Sequence, residues 1–345
     1  MNVLYVGSGP SEYVDVMRHL LPDGFCLWAE ESESPQFWAR IVEADFLVGF
    51  KPVTEEMIQS ASRVKLIQVI GAGHNAVDLA AAAKAGILVA TTGGANAVSV
   101  AEHIFALTLA LYRRIPYAHS TVKMGGWPQL ELYRSGVFDL SGKTIGFLGL
   151  GHIGQAAARI ARGFGMQVLY YRRNRLAADE ERSLGVGYAP LDDLLQQADI
   201  VSVQVPLTPE TTHLIGREQL SLMKRSALLI NTARGTIVDE KALVEFLSEK
   251  RIAGAGLDVS AEEPIPPESL LLQLDNVILT PHVGGAGQES VQRTLEESVA
   301  NILRVASGEK PHNVVLASRG ICVAAGEAVC NTELFLGAGQ GSEIE

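Results

Sequence analysis

Along most of the chain, short runs of β-branched and aliphatic residues alternate with stretches in which apolar residues recur every three or four positions. The runs "NVLYV", "DFLVGF", "KLIQVI", "TIGFLGL", "QVLYY", "DIVSVQVP", "SALLINTA", "AGAGLDV" and "VILTPHV" have the length and composition of buried strands. Stretches between them, such as "DEKALVEFLSEKR", carry the helical period. Strand–helix alternation of this kind predicts an α/β protein, with parallel sheets covered by helices on both faces.

The pattern divides near Asn96. One set of strand–helix units precedes it. A long apolar helix, "SVAEHIFALTLALYRRIPYAHSTVKM", follows, and a second set of units runs to "TPHVGG". The stretch "QESVQRTLEESVANILRVASG" reads as one amphipathic helix that belongs to no new unit, so it is expected to return to the first lobe. Two domains follow from this reading: residues 1–96 plus 288–345, and residues 97–287. A chain of 345 residues is also longer than one core ordinarily organises. The final "SRGICVAAGEAVCNTELFLGAGQGSEIE" has no clear period and reads as a loose extension.

Charge narrows the partners. Acidic residues outnumber basic ones, 39 to 28, for a formal net charge of −11, which argues against a nucleic-acid or anionic-membrane surface. Any bound anion must be held by local arginines, lysines or backbone amides. "HIFALTLALYRR" is too short to span a bilayer, and "MNVLYVGSGP" lacks the basic start of a secretory signal. Cys26, Cys322 and Cys330 are unpatterned, which predicts a reducing, cytoplasmic setting with no disulfide framework and no metal site.

Three glycine turns follow strands. The first has Gly7 and Gly9 but places Glu12 where a third small residue is needed. The second, Gly71, Gly73 and Ala76, fits a relaxed pattern, yet the following "ILVATTGG" offers nothing to hold a ribose. "GLGHIG" (Gly149, Gly151, Gly154) has a strand before it, a helix after it and a second strand on schedule. Its glycines suit a tight turn, close approach of the backbone to a pyrophosphate, and close packing of helix on strand. Amides around His152 and Ile153 would then face the phosphates from a helix N-terminus.

In such a motif the second strand ends in an acid when the ribose carries a free 2′-hydroxyl. Here it ends in Arg172 and Arg173, with Arg175 close behind. Guanidinium groups suit a 2′-phosphate, which a carboxylate would repel. NADP(H) is therefore expected in preference to NAD(H).

Three further strand ends carry reactive groups: Arg234 after "LLINTA", Asp258 with Glu263 beyond it in "GLDVSAEEP", and His282 in "VILTPHVGG". Ligands of parallel α/β sheets bind outside the carboxyl ends of the strands, so these groups are expected to converge beside the nicotinamide. Taken with "GAGHNAVDL", "NAVSVAEH", "LSGKTIGFLGLGHIG", "VPLTPETTHLI", "NTARGTIVDE" and "AGLDVSAEEP", in that order, the chain resembles the D-isomer-specific 2-hydroxyacid dehydrogenases over roughly residues 40 to 315. Within that family it is similar to the glyoxylate/hydroxypyruvate reductases.

The resemblance implies a flavodoxin-like substrate domain with a Rossmann dinucleotide domain inserted in it, and hydride transfer between NADP(H) and a 2-oxo acid. It assigns the substrate carboxylate and ketone to Arg234, and the proton to His282. Glu263 would orient His282 and stabilise its charged form. Asp258 would accept from the nicotinamide carboxamide, with Thr232, Ala233 and Gly284 about that ring. Val205, Pro206 and Thr211 would wall the adenosine side. Amides at Ala72 and Gly73 would form a nest for the carboxylate. The family often has Asp-Asn or Asn-Asn after the second glycine of that loop; here it is His74-Asn75, which either alters the pocket or faces solvent. Lys51, in a first-lobe loop, would favour a substrate with a second anionic group. Homodimers are usual in the family, with the long helix after Asn96 in the interface.

Other outcomes on this fold are a dinucleotide-sensing, corepressor-like binding protein and a phosphite or formate dehydrogenase. Formate enzymes carry Gln where the hydroxyacid enzymes carry Glu, so Glu263 speaks against formate. A phosphoglycerate enzyme with a regulatory domain is disfavoured by the short stretch after the last helix.

Overall fold

The structure, a computed structural model, describes residues 1–7 and 11–316. The expectations for the tail, with Cys322 and Cys330, lie outside the described residues. The first sheet is built from β1 (Asn2–Val6), β2 (Cys26–Ala29), β3 (Phe46–Gly49), β4 (Leu66–Val69) and β5 (Leu88–Ala90). These strands are parallel, in the order β2-β1-β3-β4-β5, which is the flavodoxin-like order. Their connections are α1 (Ser11–Leu20), α2 (Pro35–Ile41), α3 (Glu55–Ser60) and α4 (Leu79–Ala85). Ser34, Thr54 and Asp78 cap the last three, each accepting from a backbone N–H three residues on. Such a cap contributes about 1 kcal/mol.

The chain crosses to the second sheet through α5 (Ala97–Tyr112), α6 (Ile115–Lys123) and α7 (Gln129–Ser135). Seven strands follow: β6 (Thr144–Leu148), β7 (Gln167–Tyr171), β8 (Gly187–Tyr188), β9 (Ile200–Val203), β10 (Leu228–Asn231), β11 (Gly254–Leu257) and β12 (Val277–Leu279). All are parallel, in the order β12-β11-β10-β9-β6-β7-β8. Counted from β6, that is the doubly wound dinucleotide-binding order with one strand added, and its crevice opens between β6 and β9. The helices of this half are α8 (His152–Gly163), α9 (Ala178–Leu184), α10 (Leu191–Gln197), α11 (Arg217–Leu222) and α12 (Glu240–Ser248).

The chain returns through α13 (Gln288–Ala306) and β13 (Val314–Leu316). Leu295, Val299 and Ile302 of α13 are buried with Val3, Tyr5 and Met17 of the first sheet's core. β13 pairs antiparallel with β5 at that sheet's edge. The last helix thus packs on the first lobe.

The apolar helix expected over "SVAEHIFALTLALYRRIPYAHSTVKM" is two helices. Pro116 has no N–H to give the Tyr112 carbonyl, and its ring would clash there. The chain breaks at Arg114, which has φ 49°, and the Phe138 N–H donates to the Tyr112 carbonyl instead, at 3.0 Å. Among the described residues, no helix is long and apolar enough to cross a membrane, and no three His, Cys, Asp or Glu side chains are grouped to hold a metal ion.

Candidate active site

The turn after β6 divides three tasks among three glycines. Gly149 has φ 96°, and a Cβ there would lie 2.6 Å from the Gln204 carbonyl oxygen. At Gly154 a Cβ would lie 2.8 Å from the Gly149 oxygen, so helix and strand pack closely there. A Cβ at Gly151, by contrast, would meet nothing within 4 Å. The space beside Gly151 is open, and among the described residues no partner takes the amides of Gly151, His152 or Ile153. Free amides at the start of a 12-residue helix suit an anion. The His152 ring leans away, against Gly94 in the crossing between the lobes.

The Gly149 N–H donates to the Tyr171 carbonyl at 2.8 Å, so the glycine turn touches the end of β7, and Arg172 follows at once. Arg172 is half-buried and Arg173 exposed; among the described residues neither is in an ion pair. The charge of Arg173 helps hold Glu210 below its ordinary range, after the larger contributions of the Thr208 hydroxyl and a backbone amide. Arg175 departs from expectation. Its guanidinium grips Glu181 with two bonds of 2.8 Å, while the Tyr170 hydroxyl donates to the same carboxylate at 2.6 Å. The fork is therefore occupied in tying the loop after β7 to α9, and Glu181 is held down at about 2, first by Arg175 and then by Tyr170.

A cavity of about 700 Å³ lies between the carboxyl ends of the two sets of strands. One wall is Gly71 to Asn75, after β4. The other is built from the residues after β9, β10, β11 and β12, including Val205, Pro206, Thr232, Ala233, Arg234, Asp258 and His282. Ile153 reaches it from α8. At its centre His282 Nδ1 lies 2.8 Å from Glu263 Oε2. That contact occupies Nδ1 and leaves Nε2 as the ring nitrogen free to exchange a proton with a ligand.

Arg234 is placed by both lobes. Its Nε donates to Asn75 Oδ1 at 3.0 Å and its Nη1 to the Ala233 carbonyl at 2.6 Å. The rest of the guanidinium lies over Gly73, where any Cβ would collide with it. Burial pulls the Arg234 guanidinium below its ordinary value, opposed by the charge of Glu263. Beside it, burial and then the field of Arg234 lower the His74 imidazole, which favours its neutral form. The amides of Ala72 and Gly73 have no partner among the described residues, and both residues line the cavity. A carboxylate lying between them and Arg234 would meet donors on two sides. His74 and Asn75 thus face the cavity, which answers the alternative posed by their sequence.

Asp258 is 2% exposed. Its Oδ1 receives the Thr280 hydroxyl at 2.6 Å, the Val283 N–H at 2.9 Å and the His103 ring at 3.3 Å, while Oδ2 receives the Gly284 N–H at 2.8 Å. Burial raises this carboxyl, but the hydrogen bonds outweigh it and the net shift is downward. Only Oδ2 keeps a lone pair for a carboxamide. Gly284 is fixed by this bond, and a Cβ there would lie 2.9 Å from Oδ2.

Two further residues make contacts that the sequence did not announce. Lys51 is exposed and is not part of the cavity wall; its stem packs on Gly7, where a Cβ would be 2.5 Å from Lys51 Cγ. The neighbouring Phe50 lines the cavity, with Tyr13 at a ring distance of 6.0 Å. Thr211 turns into its own loop, accepting from the Thr208 N–H and donating to the Pro206 carbonyl, both at 2.7 Å. It thus shapes the Val205–Pro206 wall from behind. Sequence reasoning missed Asn75 as the partner of Arg234, and Gln204, whose amide donates to Thr232 at 2.8 Å. A polar Gln ending the apolar run "DIVSVQV" was the available signal.

A cleft with these groups at the strand ends, beside an open glycine turn, accommodates the chemistry of the NAD(P)-dependent oxidoreductases. Comparison with known proteins narrows the class. Residues 105–284 match the model of the D-isomer specific 2-hydroxyacid dehydrogenase NAD binding domain. A glyoxylate reductase of Korarchaeum cryptofilum is 42% identical over 298 residues, covering 84% of this chain and 88% of that one. The TT0316 protein of Thermus thermophilus superposes with a TM-score of 0.80 at 37% identity, over 92% of this chain and 100% of that one. A glyoxylate reductase from Paecilomyes thermophila gives 0.79 at 29% identity, over 93% and 98%. The chain belongs to the D-isomer-specific 2-hydroxyacid dehydrogenase family.

Proposed function

We propose that the protein reduces a small 2-oxo acid to the D-2-hydroxy acid with NADPH, as a reductase of the glyoxylate or hydroxypyruvate kind. The observation that carries the reading is the His282–Glu263 pair in one cavity with Arg234 and the free amides of Ala72 and Gly73. The nicotinamide, when bound, supplies the hydride. Residues Gly149, Gly151, His152, Ile153 and Gly154 would hold the pyrophosphate, with Val205, Pro206, Thr232, Ala233, Asp258 and Gly284 along the rest of the cofactor.

Arg234 binds the substrate carboxylate, shared with the Ala72–Gly73 amides, and so fixes the ketone in the cavity. Charge-assisted bonds of this kind contribute roughly 1.5–3 kcal/mol each. His282 gives the proton on Nε2 to the ketone oxygen, while Glu263 keeps Nδ1 engaged and balances the imidazolium before transfer. Phe50, Tyr13 and neutral His74 bound the space left for the third substituent. With Lys51 out of the wall, a singly charged substrate fits better than a doubly anionic one.

Preference for NADPH rests on Arg172, with Arg173 in support. A homodimer is supported by the α6–α7 segment, neither helix of which buries a residue. Met124, Trp127, Leu130 and Tyr133 there are 67–80% exposed, the mark of an interaction face. Initial rates at 340 nm with NADPH and NADH, against glyoxylate, hydroxypyruvate and 2-oxoglutarate, test the reading. Turnover of the first two with NADPH is expected; tight dinucleotide binding without turnover of any 2-oxo acid would overturn it.

A further inference from the structure

His103 stands outside the cleft. It lies on α5, belongs to no strand-end loop and does not line the cavity. Its side chain is nevertheless only 18% exposed, and Nε2 lies 2.9 Å from Thr280 Oγ1 and 3.3 Å from Asp258 Oδ1.

Counting protons gives the direction of these bonds. Asp258 is an ionised acceptor, so the one hydroxyl proton of Thr280 goes to Asp258 Oδ1, at 2.6 Å. Thr280 Oγ1 then has only lone pairs to offer His103, and Nε2 must carry the proton between them. An ordered chain results, from His103 to Thr280 to Asp258. At its far end Asp258 holds the amides of Val283 and Gly284 through its side chain and the amide of His282 through its carbonyl, at 2.8 Å.

His282 is thus bracketed by residues that this chain of bonds fixes. It also has φ 55°, a conformation that L-residues other than glycine adopt at a cost of order 1 kcal/mol. Local preference does not put it there; the surrounding hydrogen bonds do. The charged groups at the ring itself are Glu263, on Nδ1, and Arg234 across the cavity.

We propose that His103 is a positioning residue for His282, acting through Thr280 and Asp258 to hold residues 280–284 so that Nε2 meets the ketone oxygen. The inference rests on the reading of His282 as the proton donor. Because His103 touches no reactant, its loss leaves carboxylate binding at Arg234 intact and acts on the acid through Asp258, the residue that also faces the carboxamide. Errors in the placement of the acid lower kcat and spare KM.

The test compares His103→Phe, His103→Gln, Thr280→Val and Thr280→Ser with the unaltered protein in glyoxylate reduction. His103→Phe and Thr280→Val should lower kcat about tenfold or more, change KM less than about twofold, and move the alkaline limb of the kcat–pH profile. Thr280→Ser and His103→Gln keep a hydroxyl and a donor respectively, and should recover most of the rate. Folded His103→Phe and Thr280→Val proteins with unaltered kcat and pH profile would overturn the proposal, as would a Thr280→Ser protein as slow as Thr280→Val. If His103→Phe does not fold, Thr280→Val carries the test alone. His282→Gln separates the two readings: full activity in that variant removes the function assigned to His282. The positioning role is then decided by NMR of the His282 ring, with and without His103→Phe. An altered titration of that ring keeps His103 as the residue that positions it, without the catalytic consequence, and an unaltered one ends the proposal.

Discussion

The turn after β4, Gly71 to Gly73, and the turn after β6, Gly149 to Gly151, both leave a parallel strand through a glycine of positive φ, 116° and 96°. From there they diverge. The Arg234 guanidinium, brought from the other lobe, covers Gly73 and is bonded to Asn75. Nothing stands within 4 Å of the Cβ direction at Gly151, and a helix with free amides follows. Both turns present amides to an anion. What differs is the rest of the binding site: a guanidinium beside the first makes it fit a compact carboxylate, whereas open space beside the second suits a pyrophosphate. A glycine turn acquires its use from what the remainder of the chain places over it.

Removing the guanidinium from the first turn should have the largest effect. Arg234→Ala is expected to lower kcat/KM for glyoxylate on the order of a thousandfold, because a half-buried charged partner of the carboxylate disappears. Equal steady-state rates in the variant would detach Arg234 from the substrate.

A matched pair sharpens the contrast. Gly73→Ala should push the guanidinium aside and lower kcat/KM about a hundredfold, with the dinucleotide Kd unaltered. Gly151→Ala should leave the free protein as stable as before, since the new methyl group meets only open space, but weaken the dinucleotide about tenfold or more. Titration calorimetry with NADPH distinguishes them, and identical behaviour of the two variants would break the comparison.

Within the second site the arginines divide. Arg172→Ala should reduce the ratio of NADPH to NADH efficiency about ten- to a hundredfold, the effect of one charged hydrogen bond of roughly 1.5–3 kcal/mol. Arg175→Ala should leave that ratio unaltered and lower the melting temperature, because its fork is engaged with Glu181. A changed ratio in Arg175→Ala would return that residue to the cofactor.

The smallest effect is in pH-dependent stability. Glu181 titrates at about 2 in the folded protein, against an ordinary 4.5, so the unfolded chain binds the extra proton first as pH falls. The stabilisation it provides is complete above 4.5 and is lost between there and about 2. The urea-midpoint difference between the parent and Glu181→Gln should therefore shrink as pH falls through that window. A gap independent of pH would contradict the pairing with Arg175.

Nine strands, the largely parallel character of both sheets and the strand-end positions of Arg234 and His282 were legible in the sequence, because each rests on a local run of residues or on the end of one; Glu263, beyond its strand, was singled out by the family resemblance. β8, at two residues, is too short to carry a period. The break at Arg114 was written in Pro116, but the apolar residues on either side continue the helical spacing and hide it. Lys51 was placed at the substrate by the family resemblance and its charge, yet its neighbour Phe50 faces the cavity; alternation along an extended segment settles such a choice only when the register is known. Arg175 and Asp258 show a different limit. Which partner saturates a charged group depends on residues such as Glu181 and His103, brought in by separate helices. Asn75 meets Arg234 across 159 positions of sequence, and no local pattern encodes that meeting.

The bond from Phe138 to the Tyr112 carbonyl has a consequence for how such chains vary. It closes the chain on itself, so the segment holding α6 and α7 leaves and rejoins the body at a single point. Neither sheet's strand order nor the cleft depends on the length of that excursion. An arm pinched at its base can be lengthened, shortened or resurfaced while the strand ends behind it keep their places.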